Sequence, residues 1–295
     1  MSDSRSTLVE LRSKRLYGRV TSGLGHANGI TVGSSNNVIK GNLIGTDVTG
    51  TGPLPNLDDG IFGGRNTTVG GTSAGEGNVI AFNGLRGISN GGTQGTGNSY
   101  RGNSIHSNGT LGSQIVPGLG IDLGPTGPTA NDSGDSDTGA NNLQNFPIIT
   151  SVMPSGGSTN VKGSLNSSAS SSFNLDFYRN SACDASGFGE GEHLIGSTLV
   201  TTDAQGNASF DVTFAVTTGA AELLTTTATD QSGNTSEFSP CATVGTIGLS
   251  IGDVSAAEGN SGTTNFNFPF DAPVRCDSGR HRFFPDAGQL SRANS

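Results

Sequence analysis

Asparagines recur along this chain in fixed register. "NNVIKGN" places Asn37 five residues before Asn42, "NVIAFN" places Asn78 five before Asn83, and "NSYRGN" places Asn98 five before Asn103. Gly-Ile recurs alongside, at Gly29-Ile30, Gly60-Ile61, Gly87-Ile88 and Gly120-Ile121, and "TVG" occurs at 31–33 and 68–70. Self-similarity of this kind marks a solenoid, in which no repeat buries its own apolar face and stacking does so instead. The asparagine offsets suggest a unit near 20 residues, read as three short strands, "GI", "TVG" and "NVI", with corners of Gly and Asn. On that reading Ile30, Ile61, Ile88 and Ile121 form one inward ladder and Ile39, Ile80 and Ile105 another. Asparagine suits the corners because it tolerates a left-handed backbone and its amide can bridge neighbouring repeats. The stretch 43–59 interrupts the period and reads as a loop on one face.

Composition agrees with β structure throughout. Glycine fills 48 of 295 positions and charged residues only 13%, a balance poor in helix formers and rich in turn formers. The net charge of −9 and the lack of Lys/Arg clusters argue against nucleic acid or an anionic membrane surface as partner. No run is long and apolar enough for a membrane helix, and the start of the chain has no apolar core of a secretion signal.

Residues 21 to about 150 resemble the Gly/Asn-rich right-handed parallel β-helix segments, of pectin-lyase-like fold, found in large bacterial surface and secreted proteins. The phrases that carry the likeness are "GNLIGTDVTGTGPLPN", "NTTVGGTSAGEGNVIAFNG" and "GIDLGPTGPTANDSGDSDTGANNLQNFPII". The resemblance implies a β-helix of four or five coils and says little about activity.

After Pro147 the texture becomes period-two alternation in "IITSV", "TNVKGSL", "FNLDFY", "GSTLVTT", "ASFDVTF" and "LLTTTATD". Six strands at this spacing give an antiparallel β-sandwich, with Phe173, Leu175, Phe177, Phe210, Val212 and Phe214 facing inward. Cys183 and Cys241 fall in this stretch and Cys276 outside it. A Cys183–Cys241 bridge would stabilise by roughly 4 kcal/mol and imply an oxidising compartment; two buried thiols are the alternative. The block from "FYRNSACDASG" to "TTTATDQSGNTSEFSPC" resembles the immunoglobulin-like modules that follow such β-helices, whose two cysteines sit at these places. Finally, "GLSIGDVSAAEGNSGTTNFNFPF", with Glu258, resembles the opening of a calcium-associated Calx-β module, after which the pattern is lost in an arginine-bearing tail. The expected organisation is therefore an incomplete start over 1–20, a parallel β-helix over 21–142, an immunoglobulin-like β-sandwich over 143–246, a truncated Calx-β start over 247–270 and a disordered tail over 271–295.

Candidate chemistry is sparse. Asp58-Asp59 is the one adjacent carboxylate pair in the repeats, and an Asp-Gly turn before Gly60 is its plain explanation. Arg65, Arg86 and Arg101 stand at offsets that do not define a basic strip, and His26 and His106 read as surface residues. Asp132, Asp135 and Asp137 crowd into six positions with Asn, Ser and Gly, the oxygen-rich composition a calcium ion takes, though not at EF-hand spacing. A solvated hinge between domains explains the same run more plainly. With Glu258 these complete the candidate Ca2+ ligands, and a bound ion would fix the angle between the domains. A new strand is expected from Leu143. The functional expectation is a monomeric, extracellular or cell-surface structural or adhesive protein whose export signal is lost from this chain, presenting a β-helix face to carbohydrate or another surface. The alternative is a polysaccharide lyase or glycosidase using Asp58, Asp59 and an arginine from a neighbouring coil.

Overall fold

The computed structural model describes residues 28–90, 95–110, 118–124 and 126–245 with their side chains, and the backbone of six short strands outside them. The chain is all-β, with parallel sheets first and antiparallel sheets after. It divides into two compact units, Met1–Gly245 and Thr246–Ser295. In the second unit Ser250–Ile251 pairs with Phe270–Asp271, and Thr263–Asn265 with Ser291–Ala293, both antiparallel. Glu258, Cys276 and most of the expected Calx-β start and tail lie outside the described residues.

In the parallel region the chain visits three sheets in turn and then returns to the first. Ahead of the repeats lie β1 (Val9–Leu11) and β2 (Arg15–Tyr17). One rung comprises β3 (Ile30–Ser35), β4 (Val38–Lys40) and β5 (Leu43–Ile44). The next is β6 (Ile61–Arg65), β7 (Thr68–Gly70) and β8 (Val79–Ala81), and then β9 (Ile88–Ser89), β10 (Ser99–Arg101) and β11 (Ser104–His106). β12 (Ile121–Asp122) begins the last. The first sheet runs β1-β3-β6-β9-β12, the second β10-β7-β4-β2 and the third β11-β8-β5.

Ile30, Ile61, Ile88 and Ile121 stand in register and are buried, as the Gly-Ile recurrence predicts. The rung is longer than the asparagine offsets suggest: these isoleucines are 31, 27 and 33 residues apart. The second expected ladder is also redrawn. Ile39 stacks in the second sheet on Val69, which Tyr100 follows, while Ile80 and Ile105 stack in the third beneath Ile44. The glycine before each isoleucine has a steric cause. A methyl on Gly29, Gly60 or Gly87 would lie 2.6, 2.7 or 2.5 Å from a carbonyl oxygen of the next rung, closer than any side-chain carbon tolerates.

Three polar ladders hold the corners. Asn42 donates its backbone and side-chain N–H to Asn78 Oδ1, and Asn78 does the same to Asn103 Oδ1, at 2.8–3.1 Å. Asn56, Asn83 and Asn108 form a second series. The third runs Asn37, Thr67, Asn98 and then Asn141, whose Oδ1 accepts from Asn98 N at 2.9 Å. Buried backbone groups that no strand satisfies are thus paired by amides, which is what a buried corner requires.

The antiparallel region contains β13 (Ile148–Ser155), β14 (Ser158–Asn166), β15 (Ser172–Asn180), β16 (His193–Thr201), β17 (Asn207–Phe214), β18 (Leu223–Thr229) and β19 (Ala242–Thr243). They form two sheets, β13-β14-β17 and β16-β15-β18-β19. A single core joins them, with Val161, Leu165, Phe210 and Phe214 from one and Phe173, Leu175, Phe177 and Leu224 from the other. Asp203 and Asp230 close the two Gly-Asn turns by accepting backbone N–H groups at Asn207 and Asn234. Cys183 and Cys241 are disulfide-bonded with Cα atoms 6.2 Å apart.

The antiparallel region seats on the last rung. Tyr178 and Phe238 belong to the core of the parallel region and meet edge to face at 5.3 Å. A methyl on Gly120 would meet the Phe238 ring at 2.8 Å, where earlier glycines face the next rung's carbonyl. Ile105 and Gly191 exchange both backbone hydrogen bonds at 2.8 Å. Arg101 forks onto both oxygens of buried Asp176, at 2.8 and 2.7 Å. The antiparallel region therefore supplies what a further rung would.

Candidate functional site

Three places gather polar or reactive groups. The first is the loop between the regions. The carboxylates of Asp132, Asp135 and Asp137 offer oxygens that all lie within 4.8 Å of one another. The loop is tied down rather than trailing. Asn131 Nδ2 donates to Phe146 O while its Oδ1 accepts from Phe146 N, and Asn145 Nδ2 donates to Asp132 O and Asn166 O. Asp135, with φ of 57°, accepts from Asn145 N at 2.9 Å and Ser167 Oγ at 2.6 Å. Asp132 takes the backbone N–H and hydroxyl of Ser136, which hold its pKa below the usual range, led by the hydroxyl. Burial, with the neighbouring Asp137 and Asp132 charges adding to it, pushes Asp135 up to about 6. Burial and then Asp132 raise Asp137 as well, and its Oδ1 is buried without a hydrogen-bond partner. The donor set is all oxygen and lies within 4.8 Å, a span that fits the ligands of a hard divalent cation. The strand expected from Leu143 begins instead at Ile148, because Ala140–Leu143 form a 3₁₀ turn with left-handed Asn141 and Asn142. Asn141 is spent on the third ladder, donating to Asn98 O and Thr235 O.

The second place is the pair Asp58-Asp59. Asp59 is buried, and its Oδ1 accepts from Arg86 N at 3.1 Å and lies 3.6 Å from the Arg86 guanidinium. Arg86, one rung on, places its Nε 2.6 Å from Asp122 Oδ2. Burial raises the pKa of Asp59 and Arg86 opposes the rise. Asp59 and Asp122 thus bracket one arginine across three rungs, with Asp58 half-buried beside them.

No family model matches this chain, and no curated protein is similar to it.

The third place was not evident in the sequence. Pairing of β3 with β6 slips after Val32–Gly63 and resumes at Ser35–Arg65, so that β3 carries one residue more. An open groove of about 350 Å³ lies at this slip, and Gly33, Gly63, Gly64 and Gly95 are among the residues that line it. Half-buried Phe62 and exposed Arg65 line it too, and Thr31 and Ser35 supply hydroxyls. An aromatic ring, a forked cation and hydroxyls beside several glycines can hold a flat polar ring. The signal lay in "IFGGR", where a large aromatic takes an outward position beside two glycines, but only the register shift turns it into a depression.

Proposed function

We propose that the chain is a non-catalytic structural or adhesive module of a secreted or surface-exposed protein, acting as a monomer. On this reading the parallel region is a right-handed β-helix of pectin-lyase-like fold, the antiparallel region is an immunoglobulin-like sandwich, and the chain beyond Gly245 opens a Calx-β-like module. The β-helix presents its outer face to carbohydrate or another surface, and calcium held by Asp132, Asp135 and Asp137 stiffens the junction. The observation that carries the reading is the groove at Phe62 and Arg65: it has the aromatic and hydroxyl lining of a binding site and no carboxylate pair. Support for the calcium is the convergence of three carboxylates with one buried oxygen unsatisfied.

Affinity electrophoresis through immobilised polysaccharides tests it. The chain should be retarded by some glycans, Phe62→Ala should weaken retention roughly tenfold, equivalent to about 1.4 kcal/mol, and no polysaccharide should be cleaved. Release of unsaturated or newly reducing sugar would overturn the non-catalytic reading, and retardation unchanged in Phe62→Ala would overturn the groove. The alternative, a lyase or glycosidase built on Asp58 and Asp59, has an arginine from the neighbouring rung in place in Arg86, but that guanidinium is already shared with Asp122.

A further inference from the structure

Glu190 and Glu237 reach from the antiparallel region to the end of the parallel one, and each accepts two backbone N–H groups there. Glu190 accepts from Ser107 N at 2.8 Å and Asn108 N at 3.2 Å. Glu237 accepts from Leu123 N at 2.9 Å and Thr129 N at 2.8 Å, with the Thr129 hydroxyl at 3.4 Å. In the rung above, the same kind of bond is made by a neutral amide, since Asn83 N donates to Asn108 Oδ1. The carboxylate of Glu190 thus fills the next place in an asparagine ladder. Among the described residues neither carboxylate meets a cation. The charged groups acting on Glu190 are Asp184 and Glu192, and the one acting on Glu237 is Asp122, itself paired with Arg86.

We propose that Glu190 and Glu237 form a proton-responsive latch, which holds the antiparallel region on the last rung most firmly in mildly acidic medium and loosens the seat as the medium becomes alkaline. Glu237 is buried and Glu190 half-buried; loss of water beside acidic neighbours opposes ionisation while the accepted N–H groups favour it, and burial outweighs them, pushing both up to about 7 from an ordinary 4.5. A carboxyl whose pKa is higher in the seated state than when released binds its proton more tightly when seated. Its contribution is fully present below about 4.5 and is lost as pH rises through about 7. Glutamine keeps the shape and one of the two accepting oxygens and cannot ionise.

Hydrogen exchange of the Ser107, Asn108, Leu123 and Thr129 amides reads the latch directly, as protection factors corrected for the intrinsic pH dependence of exchange. In the wild-type chain protection at these four amides should fall by roughly tenfold or more between pH 5.5 and pH 8.5, while the Phe177 and Leu224 amides of the antiparallel core fall less. Glu190→Gln with Glu237→Gln should abolish that extra fall. Equal protection at both pH values in the wild-type chain would overturn the proposal without recourse to a variant, and so would an undiminished loss in the folded double variant.

Discussion

Single side chains in this molecule act by completing what a neighbour lacks. Asp176 is 1% exposed and its charge is answered by the Arg101 fork, with Ser197 adding a hydrogen bond. Arg101→Ala should cost roughly 3 to 5 kcal/mol, because it leaves a buried carboxylate alone. Urea unfolding measures it, and a loss below about 1 kcal/mol would show that water replaces the guanidinium. Residue identity was legible in the sequence where sterics dictate it: glycine before each inward isoleucine of the first sheet, and asparagine at the corners. Which corner an asparagine serves was not. Strands three residues long separate successive corners by five positions, so Asn37–Asn42 and Asn78–Asn83 share a spacing yet sit on different corners. For the same reason "NVI" occurs in the second sheet at 38–39 and in the third at 79–80, and "TVG" in the first and second. Short-range spacing fixes the existence of a repeat and leaves its phase open. Glu190 and Glu237 were invisible for a related reason, since the amides they meet lie more than 80 residues away.

At the scale of elements, the strands of the antiparallel region were legible because one core faces each alternating strand, and β13 to β18 cover all six expected stretches. Its junction was less so. The run 131–147 looked like a linker, and it is a folded loop whose 3₁₀ turn places Asn141 under Asn98. Local composition could not show this, because the donor Asn141 satisfies belongs to the previous rung. The loop is where the proposed calcium would act. An ion bound only by the folded loop stabilises by about 2.7 kcal/mol at a hundredfold excess over its dissociation constant. For a unit of this size that is a rise in melting temperature of roughly 5 to 10 °C. The rise should be reversed by chelator and lost in Asp137→Asn. The ion would also hold Asp135 ionised against burial, so the calcium-dependent rise should shrink as pH falls below about 6. An equal rise with magnesium, or none with calcium, would count against these aspartates as ligands.

Across the whole of Met1–Gly245, the parallel region ends in a surface that its own pattern cannot close. Ile105 and Ile121 are the last members of their inward ladders among the described residues, and Tyr178 and Phe238 join the core they belong to. The core of the parallel region therefore ends on side chains of the antiparallel region, which keeps a second core of its own, and backbone pairing at Ile105–Gly191 adds to the seat. Cooperativity follows from this shared seat, because each region would expose its end by melting alone. Calorimetry should accordingly show one unfolding transition for both regions rather than two. Phe238→Ala removes the ring that lies against Gly120 and should cost roughly 3 to 5 kcal/mol, lowering that single transition. Two resolved transitions in the wild-type chain, or a variant in which only the antiparallel region melts early, would mean that the two regions touch without sharing their stability.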